Sequence, residues 1–278
     1  MPPSRAPLEL TAVRTALAAT GSADSGAEIH LLYECESTNE VAAQLPATAT
    51  SNCGWALVAA ERQSAGRGRL GRVWQSPAGA GLLFSVLLDV PDDVPPSLVG
   101  LLPLAAGVAV ADACRAAGVP ASLKWPNDVV VEPGPGGAVL GKLGGLLAER
   151  SARGVVMGVG LNVSLTAAEA PTPEATALAD HGLRSVVSRE QLLAACVVGI
   201  VARWRSLLAG RRQGLLADFR ERCLTLGREV LVSRPGGVES AGVAIDVDDD
   251  GHLLLRGHDG QVSVLTAGDV VQAKVAGA

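Results

Sequence analysis

Four segments of the chain carry side chains able to do chemistry. Gly66-Arg67-Gly68-Arg69-Leu70-Gly71-Arg72 sets three arginines among glycines. Guanidinium forks and exposed backbone amides in such a loop can enclose anionic oxygens. The segment also meets the GxGxxG spacing after an apolar run, with Asp89 near the place of a ribose-binding acid. A dinucleotide site needs those glycines to open a helix that receives the pyrophosphate. Gln75 to Gly81, with Pro77, Gly79 and Gly81, cannot be that helix. A loop this rich in glycine is expected to be mobile when empty and ordered by an anion. Taken alone, a solvated basic loop explains it equally well.

Lys124-Trp125-Pro126-Asn127-Asp128 is the second segment. Pro126 interrupts strand pairing and presents Asn127 and Asp128 at a strand end. The three polar groups could serve a phosphate, a base edge and a metal; a plain turn is the alternative. In Gly141-Lys142-Leu143-Gly144-Gly145-Leu146-Leu147-Ala148-Glu149, the paired glycines admit a close ligand or backbone. An ammonium in apolar walls there could steady charge built up during acyl activation. Gly158-Val159-Gly160-Leu161-Asn162 ends an apolar run with small residues and one amide, suiting a pocket wall, though an Asn at a strand end is commonly structural.

Composition narrows the field. The chain has 278 residues, 48% hydrophobic and 18% charged, enough for a large domain or two smaller ones and too apolar for disorder. No uninterrupted apolar run reaches the ~18 residues that span a bilayer, Val99 to Val110 being broken by Pro103 and Gly107. Glu9 and scattered threonines spoil a secretory signal, so a soluble cytoplasmic protein with no membrane partner is expected. A net charge of −5 argues against general nucleic-acid binding. Cys35, Cys53, Cys114, Cys196 and Cys223 are scattered, without CxxC, and read as reduced, buried thiols. The only lysines are Lys124, Lys142 and Lys274 against twenty arginines, which marks the first two as chosen for a compact ammonium.

The elements that must position these groups follow from pattern. Helices are expected at Leu8 to Ala19, at Val41 to Gln44 behind an N-terminus at Ser37 to Glu40, at Leu98 to Ala117, at Arg189 to Leu208 and at Leu215 to Cys223. Strands are expected at Ile29 to Tyr33, Trp55 to Glu61, Leu82 to Leu88, Leu123 to Val131, Gly141 to Arg150 and Gly154 to Val163, with a turn at Pro133 to Gly137 and a loop near Pro171 to Thr176. From Gly227 the texture changes to short β runs (Glu229 to Val232, Val238 to Val247, His252 to Leu255, Val262 to Leu265), with Asp250-Gly251 and Asp259-Gly260 turns. A small β-barrel behind a boundary near residue 225 is expected. The aspartates of 246–250 lack the Glu of a calcium loop and read as a solvated turn.

Taken together, Ser37-Thr38-Asn39, Gln63 with Gly66-Arg67-Gly68-Arg69 through Trp74, Lys124 to Asp128, Gly141 to Gly145 and Gly158 to Asn162 resemble the biotin–protein ligases, in order and rough spacing. The resemblance implies an α+β fold: a mixed sheet flanked by helices, class II synthetase-like, over residues 1–224. An SH3-like β-barrel would follow over 225–278. It implies a biotin site at Ser37, Thr38, Asn39, Gln63, Gly66, Arg67, Gly68, Arg69, Lys142, Gly145 and Gly158, in which Gly145 and Gly158 leave room for the bicyclic ring. It implies nucleotide contacts from Arg69, Trp74, Lys124, Asn127 and Asn162, and catalysis by Lys142, Arg67 and Arg69. Asp128 is a further candidate for Mg²⁺, or a brace for its turn.

The implied reaction joins biotin to ATP as biotinyl-5′-adenylate, then passes biotin to a lysine on a biotin carboxyl carrier domain. The enzyme supplies positioning and charge stabilisation with no covalent nucleophile of its own. The resemblance allows a homodimer. Too little chain precedes Ser37 for the DNA-binding domain of family members that are also repressors, so no DNA partner is expected. The alternatives are a lipoate-type ligase, a biotin-responsive repressor and a non-catalytic binding module.

Overall fold

The computed structural model describes residues 5–21, 26–132, 140–233, 237–266 and 268–272. The turn expected at Pro133 to Gly137, part of the Gly/Ser/Ala stretch before residue 26, and Lys274 lie outside them. Seven strands form a mixed sheet: β1 (Glu28–Cys35), β2 (Trp55–Gln63), β3 (Gly81–Leu88), β4 (Ser122–Lys124), β5 (Asp128–Val131), β6 (Gly141–Ser151) and β7 (Gly154–Asn162), in the order β1-β2-β3-β7-β6-β5-β4. β1 runs parallel to β2; every other neighbour is antiparallel.

Side chains alternate between the two faces of a strand, and here the faces differ in kind. Leu82, Phe84, Val86 and Leu88 of β3, with Val155, Met157, Val159 and Leu161 of β7, join the main core. That core includes the apolar faces of α4 (Leu102–Ala116) and α5 (Arg189–Leu208). On the opposite face, Leu87 and Val156 pack with Ala42 of α2 (Thr38–Gln44). Further along that face the register sets Ser85 opposite Gly158 and Gly145 opposite Gly160. A sheet surface stripped of side chains results, next to the N-terminus of α2.

The N-terminal residues hold one end of the sheet. Arg189 and Glu61 pair at 2.7 Å with only 4% and 5% of their side chains exposed. Arg189 also donates to the carbonyls of Ala6 and Gly81, while Glu61 accepts the Leu8 amide at 2.7 Å. Arg5 forks onto Glu169, both bonds 2.8 Å, and donates to the Ser164 carbonyl. That fork holds the Glu169 carboxyl well below the usual range. α1 (Leu10–Ala19) then packs on α5.

A second sheet contains β8 (Glu229–Ser233), β9 (Glu239–Val247), β10 (Leu253–Arg256), β11 (Val262–Leu265) and β12 (Asp269–Gln272), all antiparallel, in the order β11-β10-β9-β8-β12. This matches a small SH3-like domain. α6 (Arg212–Arg222) joins it to the first sheet's helices, with Arg220 bonded to Asp246 at 2.6 Å. The Trp125 indole donates to Gly251 O at 3.0 Å, and its backbone amide donates to Thr225 Oγ1 at 2.9 Å.

Several expectations change. Leu98 to Ala117 is two helices, α3 (Pro96–Gly100) and α4, because Pro103 has no N–H to continue the ladder. Leu123 to Val131 is likewise two strands, parted by the turn at 125–127. β12 was not expected. Cys114, Cys196 and Cys223 are buried, and burial pushes the Cys114 thiol up to about 12; Cys35 and Cys53 are only half-buried. By length and composition alone, the helical spans Pro96–Ala116 and Arg189–Leu208 could cross a membrane, despite the interruptions in the first. Here they pack against each other and the sheet.

Candidate active site

The bare face of the sheet gathers most of the chemically able residues. α2 begins there with Ser37, Thr38 and Asn39, exposed by only 3%, 3% and 5%. Gln63, at the end of β2, accepts through Oε1 from the Thr38 amide (2.7 Å) and hydroxyl (3.0 Å), fixing the first turn. This commits its carbonyl end to the protein and leaves its Nε2 facing Gly66. Ser37 occupies the N-cap position without capping, so its hydroxyl is not tied to the helix.

Asn39 has a determined orientation. Its Nδ2 donates to Glu149 Oε2 at 2.6 Å and to Leu147 O at 3.3 Å, while its Oδ1 accepts from Ser85 Oγ at 2.6 Å. The Asn39 amide lies in the space that a Cβ at Gly158 would fill. The room expected above Gly158 is therefore taken by this amide. At Gly160 a Cβ would fall inside the Trp74 indole, and at Gly145 it would lie 3.3 Å from Trp74 Cζ3. Trp74, expected against the adenylate, covers this glycine floor. Its Nε1 is buried without an acceptor among the described residues, which leaves a donor unsatisfied while the indole stays there.

Gly66 to Trp74 folds as a short hairpin closed by the Arg67–Val73 bridge and by Gly68 N to Arg72 O at 2.7 Å. Leu70 (φ 55°) and Gly71 (φ 74°) turn its tip in the left-handed region, strained for the leucine. No helix follows, so the dinucleotide reading is excluded. The three arginines diverge. Arg67 reaches Glu149 Oε2 (3.1 Å), and Arg69 donates to Asn127 Oδ1 (3.1 Å) and Gly268 O (3.4 Å). Arg72 pairs with Asp269.

Lys142 projects over the same floor, its Nζ 2.7 Å from Asp128 Oδ1 and 5.9 Å from the Trp74 ring centroid. Its backbone is clamped on both sides: its amide donates to Glu174 O (2.6 Å), and its carbonyl accepts from the Thr176 amide (3.0 Å). Asn162, expected at the nucleotide, instead commits its Nδ2 to the carbonyls of Lys142 (3.4 Å) and Thr176 (3.1 Å). It holds the lysine's strand. Asn127 similarly donates to Leu146 O at 2.8 Å. Lys124 stands near Asp128 and Lys142, and burial lowers its pKa before those charges act. Burial also lowers Arg69. Lys124, Lys142 and Arg69 thus stand around the Asp128 carboxylate, more positive charge than it offsets, which suits a polyanion. A cleft of 1160 Å³ opens from the Gly/Arg hairpin past Trp125-Pro126-Asn127 to Gly251-His252 in the β9–β10 connection.

Among the described residues no three His, Cys, Asp or Glu side chains gather as a metal cage. Asp128 alone fits the few-carboxylate pattern of a magnesium held chiefly by phosphates, and its ion pair with Lys142 also makes it the brace. The bonding roles of Glu149, Ser85, Glu174 and Thr176 were not foreseen. Ser85, a lone hydroxyl inside the apolar run Leu82 to Leu88, and Glu149, a charge ending Gly144-Gly145-Leu146-Leu147-Ala148, were the available signals.

Comparison with known proteins follows the same division. The family model of the biotin/lipoate A/B protein ligases matches residues 33–165, and that of the biotin protein ligase C-terminal domain matches 225–271. The chain is 40% identical to the Mycobacterium tuberculosis biotin–[acetyl-CoA-carboxylase] ligase, across 97% of each chain. It is 30% identical to the Bacillus subtilis bifunctional ligase/repressor BirA, covering 86% of this chain and 73% of that one. The solved Aquifex aeolicus biotin protein ligase in complex with biotin and ATP superposes with a TM-score of 0.73 at 26% identity, covering 88% of this chain and 99% of that one. The Leishmania major biotin protein ligase in complex with biotinyl-5-AMP gives 0.56 at 28% identity, covering 86% and 99%.

Proposed function

Since the chain belongs to the biotin/lipoate A/B protein ligase family and its 40%-identical relative is named a biotin–[acetyl-CoA-carboxylase] ligase, we propose that it activates biotin with ATP and transfers it to a lysine of a biotin carboxyl carrier domain. It is an ATP-dependent biotin protein ligase. The observation that carries the reading is the Lys142 ammonium, fixed by Asp128 over a glycine floor and faced by an arginine hairpin.

Biotin's ring end lies at Ser37, Thr38 and Asn39, with Gln63 Nε2 and the Gly66 and Gly68 backbone closing that end. Its carboxylate points to Lys142, Arg67 and Arg69. A carboxylate oxygen attacks the α-phosphorus of MgATP, the bond to pyrophosphate breaks, and a mixed anhydride results. Lys142 and Arg69 offset the charge that grows on the oxygens, within a site where such interactions are strengthened. Lys124 and Asn127 meet the nucleotide, and Trp74, moving off its floor, covers the adenylate. Asp128 would stand beside a magnesium ion brought in with ATP, which would supply charge neutralisation at the phosphates. The acceptor amine then attacks the acyl carbon, AMP leaves, and an amide forms. The closed hairpin keeps water from the anhydride. The protein works in the cytoplasm, without DNA or membrane, as a monomer or homodimer.

Incubating the purified chain with biotin, MgATP and a carrier domain tests this by mass. One biotinyl group is expected on the carrier. Modification with lipoate but not biotin would overturn the substrate assignment.

A further inference from the structure

Glu149 joins two parts of the site through a single carboxylate oxygen. Its Oε2 accepts from Asn39 Nδ2 at 2.6 Å and from Arg67 Nη2 at 3.1 Å. Asn39 stands at the start of α2, almost fully buried, while Arg67 stands on the hairpin, 45% exposed. One carboxylate oxygen thus fixes the amide at the ring end and touches the element that closes over the acyl end. We propose that Glu149 is a positioning residue that couples recognition of the biotin ring to closure of the Gly/Arg hairpin. This rests on the ligase reading above.

The physics of the two contacts differs. The bond to Asn39 is short, charge-assisted and shielded, and it determines which way the amide faces. With Nδ2 held by Glu149, Oδ1 must face Ser85, whose hydroxyl donates to it at 2.6 Å. Gly158 keeps this arrangement free of a Cβ. The bond to Arg67 is longer and partly solvated, weak enough to break and re-form as the hairpin moves. A ring that seats against Asn39 keeps the carboxylate in place for Arg67. A displaced Asn39 lets the carboxylate turn, and Arg67 loses its partner.

A double-mutant cycle read on the dissociation rate of biotinyl-adenylate separates this from a merely structural role. Asn39→Ala and Arg67→Ala are each made alone and together, in the full chain with Glu149, with Glu149→Ala and with Glu149→Gln. Rates are followed by tryptophan fluorescence, and folding is checked by thermal melting. With Glu149 present, the combined effect falls short of the product of the single effects by about two- to five-fold. With Glu149→Ala the effects multiply. Glu149→Gln keeps an acceptor for Asn39 without the charge for Arg67, so they multiply there too, and this variant carries the test if Glu149→Ala does not fold. Effects that multiply with Glu149 intact, or a shortfall that persists in both Glu149 variants, overturn the proposal. Failure of the unaltered chain to bind biotinyl-adenylate at all would instead overturn the ligase reading itself.

Discussion

Two arginine–glutamate pairs hold opposite ends of the same sheet, and they are built for opposite purposes. Arg189 and Glu61 are 4% and 5% exposed, pair at 2.7 Å, and share further bonds with Ala6, Leu8 and Gly81. Arg67 and Glu149 are 45% and 36% exposed and meet at 3.1 Å. A buried pair of this kind is expensive to break, since the surviving charge has no water to turn to. A solvated pair exchanges for water at little cost. The fold thus places its immovable ion pair where the N-terminal residues tie down the frame, and its exchangeable one where a hairpin must open and close.

The comparison breaks most visibly at the frame. Arg189→Ala leaves Glu61 buried and unpaired, and unfolding in denaturant should show a loss of about 3–5 kcal/mol. A loss under 1 kcal/mol would mean that the strap contributes little. Gly160→Ala drives a methyl into the Trp74 indole. Overpacking of this kind costs about 1–3 kcal/mol, and the tryptophan emission should shift as the indole leaves its floor. An unchanged spectrum would place Trp74 elsewhere. Arg67→Ala should cost less than about 1 kcal/mol of stability while speeding adenylate loss. A large drop in melting temperature would erase the distinction between the two pairs.

A pH profile sharpens the same contrast within the site. Burial lowers the Lys124 pKa, so raising the pH removes its positive charge earlier than for an ordinary lysine. The KM for ATP should begin to climb below the usual lysine range, and Lys124→Arg should move that climb to higher pH. A profile identical in both proteins would remove Lys124 from the nucleotide site.

What the sequence made legible follows from locality. Ser37 starts a helix, Pro126 breaks a strand, and the apolar runs Trp55 to Glu61 and Leu82 to Leu88 form strands, all decided by nearby residues. The Gly/Arg segment was recognisable as something other than a dinucleotide turn because Pro77, Gly79 and Gly81 forbid the helix. What escaped depends on pairing across distance. Asn162 could not be known to hold the Lys142 carbonyl before β6, β7 and the 174–176 segment came together. Glu149 carries no motif of its own, and its importance appears only when Asn39 and Arg67 converge on one oxygen. β12 hid at the end of a chain whose earlier β runs announce themselves by Asp-Gly turns.

The most direct test of the central claim is biotin-dependent exchange of labelled pyrophosphate into ATP, measured on the intact chain and on Lys142→Ala. Exchange should require biotin and fail with lipoate. It should fall about 10²- to 10³-fold in the variant, the usual loss when one preorganised charge-stabilising donor is removed, with the melting temperature unchanged. Exchange that proceeds equally well without Lys142, or with lipoate in place of biotin, would contradict the account.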